Sequence, residues 1–260
     1  MQLLKILIVT LLAGAGAGIG TGFAGMSAAA VISPVLTVFL GIDPYQAVGI
    51  ALASDVLARA VSAYTYGKNK NIDIKNGVVM LISVLVFTVV GSWVSSLLPS
   101  KTMGNFSVFM TFLLGIKFIV RPVMTTKESM DSVPQRKRMI RSGVCGIAVG
   151  FICGFVGAGG GMMMLLLLTG ILGYELKTAV GTSVLIMSFT ALTGSVSHIA
   201  LGGMPDITIL LLCVAFTLIF ARLASVIANK ADAKTLNRVT GVVLVVLGIT
   251  IFAFRMIEGL

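Results

Sequence analysis

Residues 150–161 read GFICGFVGAGGG, and residues 18–29 read GIGTGFAGMSAA. In both stretches a cluster of small residues lies between an apolar run of helical length and a second, shorter apolar run. Consecutive glycines weaken a helix because they lose more backbone freedom on folding than any other residue. The two stretches therefore predict two helices that break at corresponding places in the chain.

The composition predicts that most of this chain is surrounded by hydrocarbon. Of its 260 residues, 57% are hydrophobic and 11% are charged, and the mean hydropathy is +1.08. A soluble domain carries about 25% charged residues, and one crossing of a bilayer needs roughly 20 apolar residues. At least eight apolar stretches approach that length. We therefore expect an all-α polytopic membrane protein without a separate soluble domain.

An internal repeat extends outward from the two glycine clusters. Aligning residue 18 with residue 150 pairs glycines, a phenylalanine and an Ala-Val-Gly motif in the same order: Gly22, Phe23 and Gly25 with Gly154, Phe155 and Gly157; Gly41 with Gly173; 47–49 with 179–181; and, after one inserted residue, Asp73 with Asp206. This order predicts two homologous halves, residues 1–122 and 140–260. The polar segment 123–139 joins them as a cytoplasmic linker.

Each half is predicted to contain a glycine-broken or re-entrant first helix and three further spans, which gives eight to ten membrane segments. The predicted segments are 3–22, 26–40, 45–66, 76–98 and 103–121 in the first half, and 141–158, 161–172, 177–200, 207–228 and 235–254 in the second.

The positions of the basic residues favour inverted over parallel repeats. If each half crosses the membrane an odd number of times, the repeats are inverted, and thirteen basic residues lie in the inner loops and three outside. If the chain makes eight simple spans, the repeats are parallel, and eleven basic residues lie inside and five outside. Basic residues collect on the cytoplasmic side of a membrane. The thirteen are Lys68, Lys70, Lys75, Arg121, Lys127, Arg136, Lys137, Arg138, Arg141, Lys177, Lys230, Lys234 and Arg238. This count places the N-terminus outside.

The glycine breaks are the first candidate substrate site. Unwound backbone inside a bilayer is tolerated only against protein or a watery cavity, and the free N–H groups at the start of the next helix attract anions. The candidate residues are Gly25, Ser27, Gly157, Gly159 and Gly160. Earlier glycines, Gly14, Gly16 and Gly18, are instead interpreted as close helix packing.

Asp55 and Arg59 lie four residues apart inside an apolar run, so one helical turn brings them within pairing distance. Charges at membrane depth are costly and mark a pathway, a proton relay or a counter-ion. In the functional interpretation, Arg59 holds an anion and Asp55 accepts a coupling proton. In the structural interpretation, the pair only holds helices together, and the sequence leaves both open.

Three polar residues of the second half complete the candidate site. Thr182 and Ser183 follow the repeated Ala-Val-Gly motif and are expected to line the site. His198, the one histidine, is a candidate proton relay, although a packed histidine at a helix end fits it as well.

Several functions are disfavoured by what the sequence lacks. It contains no Ser/His/Asp triad, HExxH, phosphate-binding loop or metal-ligand spacing. We therefore expect no enzyme activity, no cofactor and no metal. The net charge of +10 is explained by loop topology, so no nucleic-acid partner is expected.

The second half contains GFVGAGGG at 154–161 and AVGTS at 179–183, and the first half repeats them as GFAGMSAAAVISPVL at 22–36 and AVGIALASD at 47–55. This duplicated pair of motifs resembles the TauE/SafE family of sulfite-exporter-like permeases. The resemblance implies secondary transport of small anions, chiefly sulfite and organosulfonates such as sulfoacetate, across a bacterial cytoplasmic membrane. Met26, Ser27 and Ala28 stand where the second half has Ala158, Gly159 and Gly160, so the two breaks differ.

The leading hypothesis is a proton-coupled carrier that works by alternating access between the two repeats. The alternatives are an uncoupled anion channel and a membrane-embedded accessory protein without transport. The expected partners are a small anion and the lipid bilayer, and the sequence leaves a homo-oligomer open.

Overall fold

The computed structural model describes residues 2–96, 113, 115–156, 160–202 and 205–258, and within these ranges it contains helices and no strand. The helices are α1 (Gln2–Ala24), α2 (Ala29–Leu40), α3 (Pro44–Lys68), α4 (Ile74–Ser96), α5 (Lys127–Asp131), α6 (Gln135–Val156), α7 (Gly160–Gly170), α8 (Leu176–Gly202), α9 (Ile207–Lys230) and α10 (Ala233–Glu258). Residues 115–120 are also helical and belong to the predicted span 103–121, most of which lies outside the described residues.

Six of the described helices, α1, α3, α4, α8, α9 and α10, are long and apolar enough to cross a membrane. The short apolar helices α2 and α7 contain 12 and 11 residues. At about 1.5 Å per residue each is roughly half as long as a bilayer core of about 30 Å is thick. The prediction of an all-α polytopic membrane protein is therefore confirmed, whereas the number of eight to ten segments stays a prediction.

Residues 123–139, the predicted linker between the halves, are more helical than the sequence indicates. Both α5 and the first turn of α6 lie within residues 123–139, which were expected to form a loop. Pro134 precedes α6, and its carbonyl accepts hydrogen bonds from the backbone N–H groups of Lys137 and Arg138. Proline is favoured at a helix start because its fixed φ suits the first turn. The basic residues of the linker thus begin a helix that continues into the apolar bundle.

Helices of the two halves pack against each other in matching pairs. α1 packs along α9 in parallel, because Gly14 lies against Phe216 and Gly22 lies against Ala224. In the matching pair, α6 packs along α4 in parallel, with Gly150 against Val84. The packing role predicted for Gly14 and Gly18 is confirmed, since both approach the α9 backbone. Each half therefore holds its first long helix against the fourth segment of the other half.

The helices α3 and α8, which correspond in the repeat, pack against each other in antiparallel directions. Gly181 near the start of α8 lies against Tyr66 near the end of α3, and Gly194 lies against Leu52. Residues 115–120 and α10 are a second corresponding pair and are also antiparallel, because Gly115 lies against Val245 and Gly241 lies against Ile119.

Matched glycines end the two short helices. Gly41 follows α2 and Gly173 follows α7, and both have φ of +67°. In each case the next residue bonds back six residues, Ile42 to the carbonyl of Leu36 and Tyr174 to that of Leu168. This left-handed cap suits glycine, which has no Cβ to clash. The repeat found in the sequence thus has a counterpart in backbone conformation.

Loops from both halves meet at one end of the bundle. The Lys127 ammonium donates to the carbonyl of Lys70 at 2.6 Å, and the Asn71 amide donates to the side chain of Asn229 at 2.7 Å. Lys177 donates to the backbone of Asn229 at 2.9 Å. The thirteen basic residues assigned to inner loops lie on these segments and on the adjoining helix ends. We call this end the basic face.

Candidate functional site

The first glycine break is formed by a tight reversal after α1. Gly25 has φ of +63°, its N–H bonds to the carbonyl of Thr21, and the next N–H, from Met26, bonds to the carbonyl of Gly20. The Thr21 hydroxyl also donates to the Met26 carbonyl at 2.9 Å. Buried backbone groups that leave the helix are therefore satisfied locally. The helix therefore breaks inside the protein between Ala24 and Ala29, and the sequence predicted this break.

Asp55 and Arg59 form a buried ion pair in the middle of α3. The distance from Arg59 Nε to Asp55 Oδ2 is 2.9 Å, and the two side chains are 2% and 1% exposed. The half-buried Ser27 hydroxyl, just beyond the first break, donates to the same Asp55 oxygen at 3.0 Å. The predicted pairing is confirmed, and Ser27 links it to the glycine break.

The start of α7 meets the first break at this ion pair. A Cβ at Gly161, in the first turn of α7, would overlap the carbonyl oxygen of Gly25 and would lie 3.4 Å from Arg59 Nη2. The Ser183 hydroxyl donates to the Gly161 carbonyl at 3.3 Å, and a Cβ at Gly25 would lie 3.2 Å from its oxygen. We call Gly25, Ser27, Asp55, Arg59, Gly161 and Ser183 the glycine junction.

The ion pair of the glycine junction is incompletely satisfied. Asp55 Oδ1 and Arg59 Nη1 are buried and have no hydrogen-bond partner in the described part of the chain, and the short contact at Arg59 Nε lacks hydrogen-bond geometry. A buried polar atom without a partner loses its hydration and gains nothing in return. Arg59 therefore retains donor capacity at Nη1, and its Nη2 lies close to the start of α7, where helix N–H groups also favour negative charge.

Thr182 lies apart from the glycine junction, although it is adjacent to Ser183 in sequence. Its hydroxyl accepts a hydrogen bond from the backbone N–H of Asp73 at 3.1 Å, at the connection between α3 and α4. Successive residues of a helix point in directions about 100° apart, which separates the two hydroxyls. The role predicted for Thr182 at the substrate site stays a prediction.

Four other candidate residues have limited descriptions. Gly157 and Gly159 lie outside the described residues, and Gly160 begins α7. His198 belongs to the backbone of α8, but its side chain lies outside the described side chains. The roles predicted for these four residues stay predictions.

Sequence reasoning missed the importance of Asp73, which the repeat paired with Asp206. Both aspartates cap helices, since Asn76 N–H bonds to Asp73 at 3.2 Å and Ile209 N–H bonds to Asp206 at 3.0 Å. Asp73 also accepts from the Tyr174 hydroxyl at 2.9 Å and pairs with Arg138 at 3.3 Å. The one available signal was the matched pair of aspartates.

The environment of Asp73 favours its charged form. Burial opposes ionisation, but hydrogen bonds from Asn76, Tyr174 and Arg138 outweigh burial and hold the pKa of Asp73 below its usual value. Burial and the adjacent Asp73 carboxylate raise the pKa of Tyr174, so its hydroxyl stays protonated and continues to donate. Both effects keep a polar link between the halves at the basic face.

Comparison with known proteins identifies the family. The family model described as "Sulfite exporter TauE/SafE" matches residues 10–251. The chain belongs to the TauE/SafE family. The match spans both halves of the chain and all of the glycine junction.

Relatives of this TauE/SafE chain are named as transporters. It is 27% identical over 244 residues to "Probable membrane transporter protein YunE" of Bacillus subtilis, covering 89% of each chain. It is 29% identical over 189 residues to "Probable membrane transporter protein MJ0441" of Methanocaldococcus jannaschii, covering 70% of this chain and 66% of that one. A multi-pass membrane protein of a transporter family agrees with the six spanning helices.

Within the described ranges, no group of three His, Cys, Asp or Glu side chains is placed to hold a metal ion. The glycine junction instead combines a guanidinium, a carboxylate, two hydroxyls, the backbone break after α1 and the start of α7. A guanidinium and hydroxyls are donors that suit an oxyanion, and a carboxylate can accept a proton.

Proposed function

We propose that the protein is a secondary transporter that moves a small anion, sulfite or an organosulfonate, together with a proton. The observation that carries this proposal is the incompletely satisfied Asp55–Arg59 pair at the meeting point of the two glycine breaks. Buried ionisable residues inside membrane proteins lie on substrate or ion pathways by default. The family description supports sulfite as the first anion to test.

The anion would bind between Arg59 and the start of α7. A guanidinium presents several N–H donors in a plane and suits sulfite or sulfonate oxygens. The N-terminus of α7 carries partial positive charge beside the positive guanidinium, and Asp55 offsets only one of these two. An anion at this point would relieve the remaining repulsion. The hydroxyls of Ser27 and Ser183 are close enough to complete its coordination.

Proton coupling follows from competition for Arg59. An ionised Asp55 and a bound anion both require the same guanidinium, so each weakens the interaction of the other. When Asp55 accepts a proton, its charge is removed and Arg59 becomes available to the anion. Binding of the anion and of the proton would therefore be mutually favourable, and thermodynamic linkage requires this coupling to be reciprocal. His198 stays a candidate for relaying that proton.

We further propose that the halves are inverted repeats in a bacterial cytoplasmic membrane, with the basic face in the cytoplasm. Support comes from the antiparallel packing of the corresponding helices α3 and α8. A two-fold axis that relates antiparallel helices is perpendicular to them, and hence lies in the membrane plane when the helices cross it. Inverted repeats with broken helices at the midplane are a common plan for secondary transporters.

The test is flux of radiolabelled sulfite into proteoliposomes, with and without an imposed pH gradient. Wild type is expected to accumulate sulfite when the gradient is present, whereas Asp55→Asn is expected to lose the gradient-driven part. Asp43→Asn is the matched control, because Asp43 is an exposed helix cap on the same helix and asparagine caps equally well.

Each outcome separates the candidate mechanisms. Saturable flux that responds to the gradient supports a coupled carrier, whereas large currents that ignore the gradient indicate a channel. Equal gradient-driven flux in wild type and Asp55→Asn would remove Asp55 from the coupling mechanism. No flux of sulfite or of a panel of sulfonates would reject the transport proposal for these anions.

A further inference from the structure

A positively charged cavity lies on the basic face, and none of its lining residues belongs to the glycine junction. It has a volume of about 250 Å³ and is lined by Lys70, Ile72, Asp73, Ile74, Lys75, Lys127, Met130, Arg138 and Thr178. A water molecule occupies roughly 30 Å³ in the liquid. The cavity therefore has room for a small oxyanion together with several waters. We call it the basic pocket.

Four cationic side chains and one carboxylate line the basic pocket. Arg138 is 8% exposed, and its guanidinium contacts Asp73 at 3.3 Å and the Met130 carbonyl at 2.6 Å. Asp73 thus offsets one positive charge, and three lysines, Lys70, Lys75 and Lys127, provide the others. Concentrated like charges repel, and a bound anion relieves that repulsion.

The backbone around the pocket holds these cations together. Lys70 has φ of +57° and is the one non-glycine residue with positive φ in the part of the chain that the structure describes. Its carbonyl accepts from the Lys127 ammonium at 2.6 Å, so the α3–α4 connection and α5 are tied across the pocket mouth. The first turn of α4, at Ile74 and Lys75, adds the positive end of a helix.

We propose that the basic pocket is a second anion-binding site, which takes a small sulfur or phosphorus oxyanion between Lys70, Lys75 and Arg138. The proposal goes beyond the transport function and does not depend on it. Such an oxyanion has two sources, a free anion in the cytoplasm or the headgroup of an anionic lipid. A lipid headgroup could reach the pocket from the bilayer surface, because exposed apolar residues, including Ile74 and Ile140, lie on the same helix ends.

An anion bound in the pocket would affect the contact between the two halves, because Asp73 takes part in both. The carboxylate of Asp73 accepts from Tyr174, and its backbone N–H donates to Thr182, both in the second half. An anion that draws Arg138 away from Asp73 therefore changes the charge environment of the residue that makes both of these cross-half links. The site is placed where it can bias the opening of the basic face.

The experiment measures binding to the purified full-length protein at fixed ionic strength. Equilibrium dialysis in neutral detergent uses radiolabelled sulfite and, separately, inorganic phosphate. The test variant is Lys70→Gln/Lys75→Gln, and the matched control is Lys137→Gln/Lys234→Gln, which removes two exposed lysines of the basic face outside the pocket. Thermal unfolding of both variants checks that they are folded.

The expected result is that the pocket variant loses one bound equivalent, or binds it at least about tenfold more weakly, while the control matches wild type. A parallel arm reconstitutes each protein in nanodiscs of phosphatidylcholine with phosphatidylglycerol and counts retained phosphatidylglycerol. Selective loss there, without loss of free anion, identifies the lipid headgroup as the source. Equal binding by the pocket variant and the control in both arms would overturn the proposal.

Discussion

The carbonyl oxygen of Gly25 lies against Gly161, so closely that a Cβ at Gly161 would overlap it. The two residues come from different halves, and each lies at the break of its own half. This contact brings the end of α1 and the start of α7 to the buried Asp55–Arg59 pair. A glycine at position 161 is therefore required by the close approach of the Gly25 backbone.

Replacing Gly161 by alanine is expected to disturb the glycine junction. The added methyl group must displace the Gly25 carbonyl, and overpacking of this kind costs about 1–3 kcal/mol. We expect Gly161→Ala to lower the thermal unfolding midpoint and to abolish transport. Gly143→Ala is the matched helical control, because its Cβ would meet nothing closer than 3.8 Å. An unchanged midpoint and flux in Gly161→Ala would contradict the close contact.

A double-mutant cycle separates the structural role of the ion pair from its transport role. Asp55→Asn alone leaves a buried Arg59 charge uncompensated, which typically costs about 3–5 kcal/mol. Asp55→Asn/Arg59→Met removes both charges and is expected to recover most of the stability but none of the coupled flux. The measurements are thermal unfolding in detergent and proteoliposome flux. Recovery of both stability and coupled flux would assign the pair a purely structural role.

The adjacent hydroxyls of Thr182 and Ser183 are expected to behave differently. Ser183→Ala removes a hydroxyl at the glycine junction, and loss of one hydrogen bond of about 1 kcal/mol weakens sulfite binding roughly fivefold. Thr182→Val removes the acceptor of the Asp73 N–H and is expected to lower stability while the KM for sulfite stays unchanged. Flux at graded sulfite concentrations checks both. A raised KM in Thr182→Val alone would place the site on the other face of α8.

The link at Asp73 gives a defined pH dependence. Its pKa is lowered in the folded protein, so its stabilising contribution is complete above its ordinary pKa of 3.8 and is lost as pH falls through the lower folded value. Asp73→Asn is therefore expected to lower the unfolding midpoint at pH 7, and the difference from wild type should shrink as the pH falls below 3.8 toward the lower folded pKa. A difference that stays constant with pH would show that the carboxylate charge does not stabilise the link.

The orientation in the membrane can be tested with single added cysteines. The native Cys145, Cys153 and Cys213 are buried, so they should react slowly with a membrane-impermeant maleimide. We expect Lys5→Cys to be labelled on intact cells and Lys234→Cys only after the cells are opened. Labelling of Lys5→Cys only in opened cells would place the N-terminus in the cytoplasm and reverse the proposed topology.

The sequence alone determined the class of the protein, its repeat and the pairing of Asp55 with Arg59. These properties depend on composition and short-range spacing, because the length of an apolar run and one turn of helix need no tertiary information. Matched glycines such as Gly41 and Gly173 could also be found in the sequence, since each ends a helix by a local backbone conformation.

Only the tertiary structure decided which of these residues meet. Gly25 contacts Gly161, and Asp73 contacts Arg138 and Tyr174, although these partners are far apart in the sequence. Thr182 and Ser183 are neighbours in the sequence, but they lie on different faces of α8 and have different partners. These contacts depend on how helices of one half pack against helices of the other, as α1 does with α9 and α3 with α8. Side-chain spacing within one helix carries no information about the helix that packs against it, and for that reason the basic pocket could not be predicted.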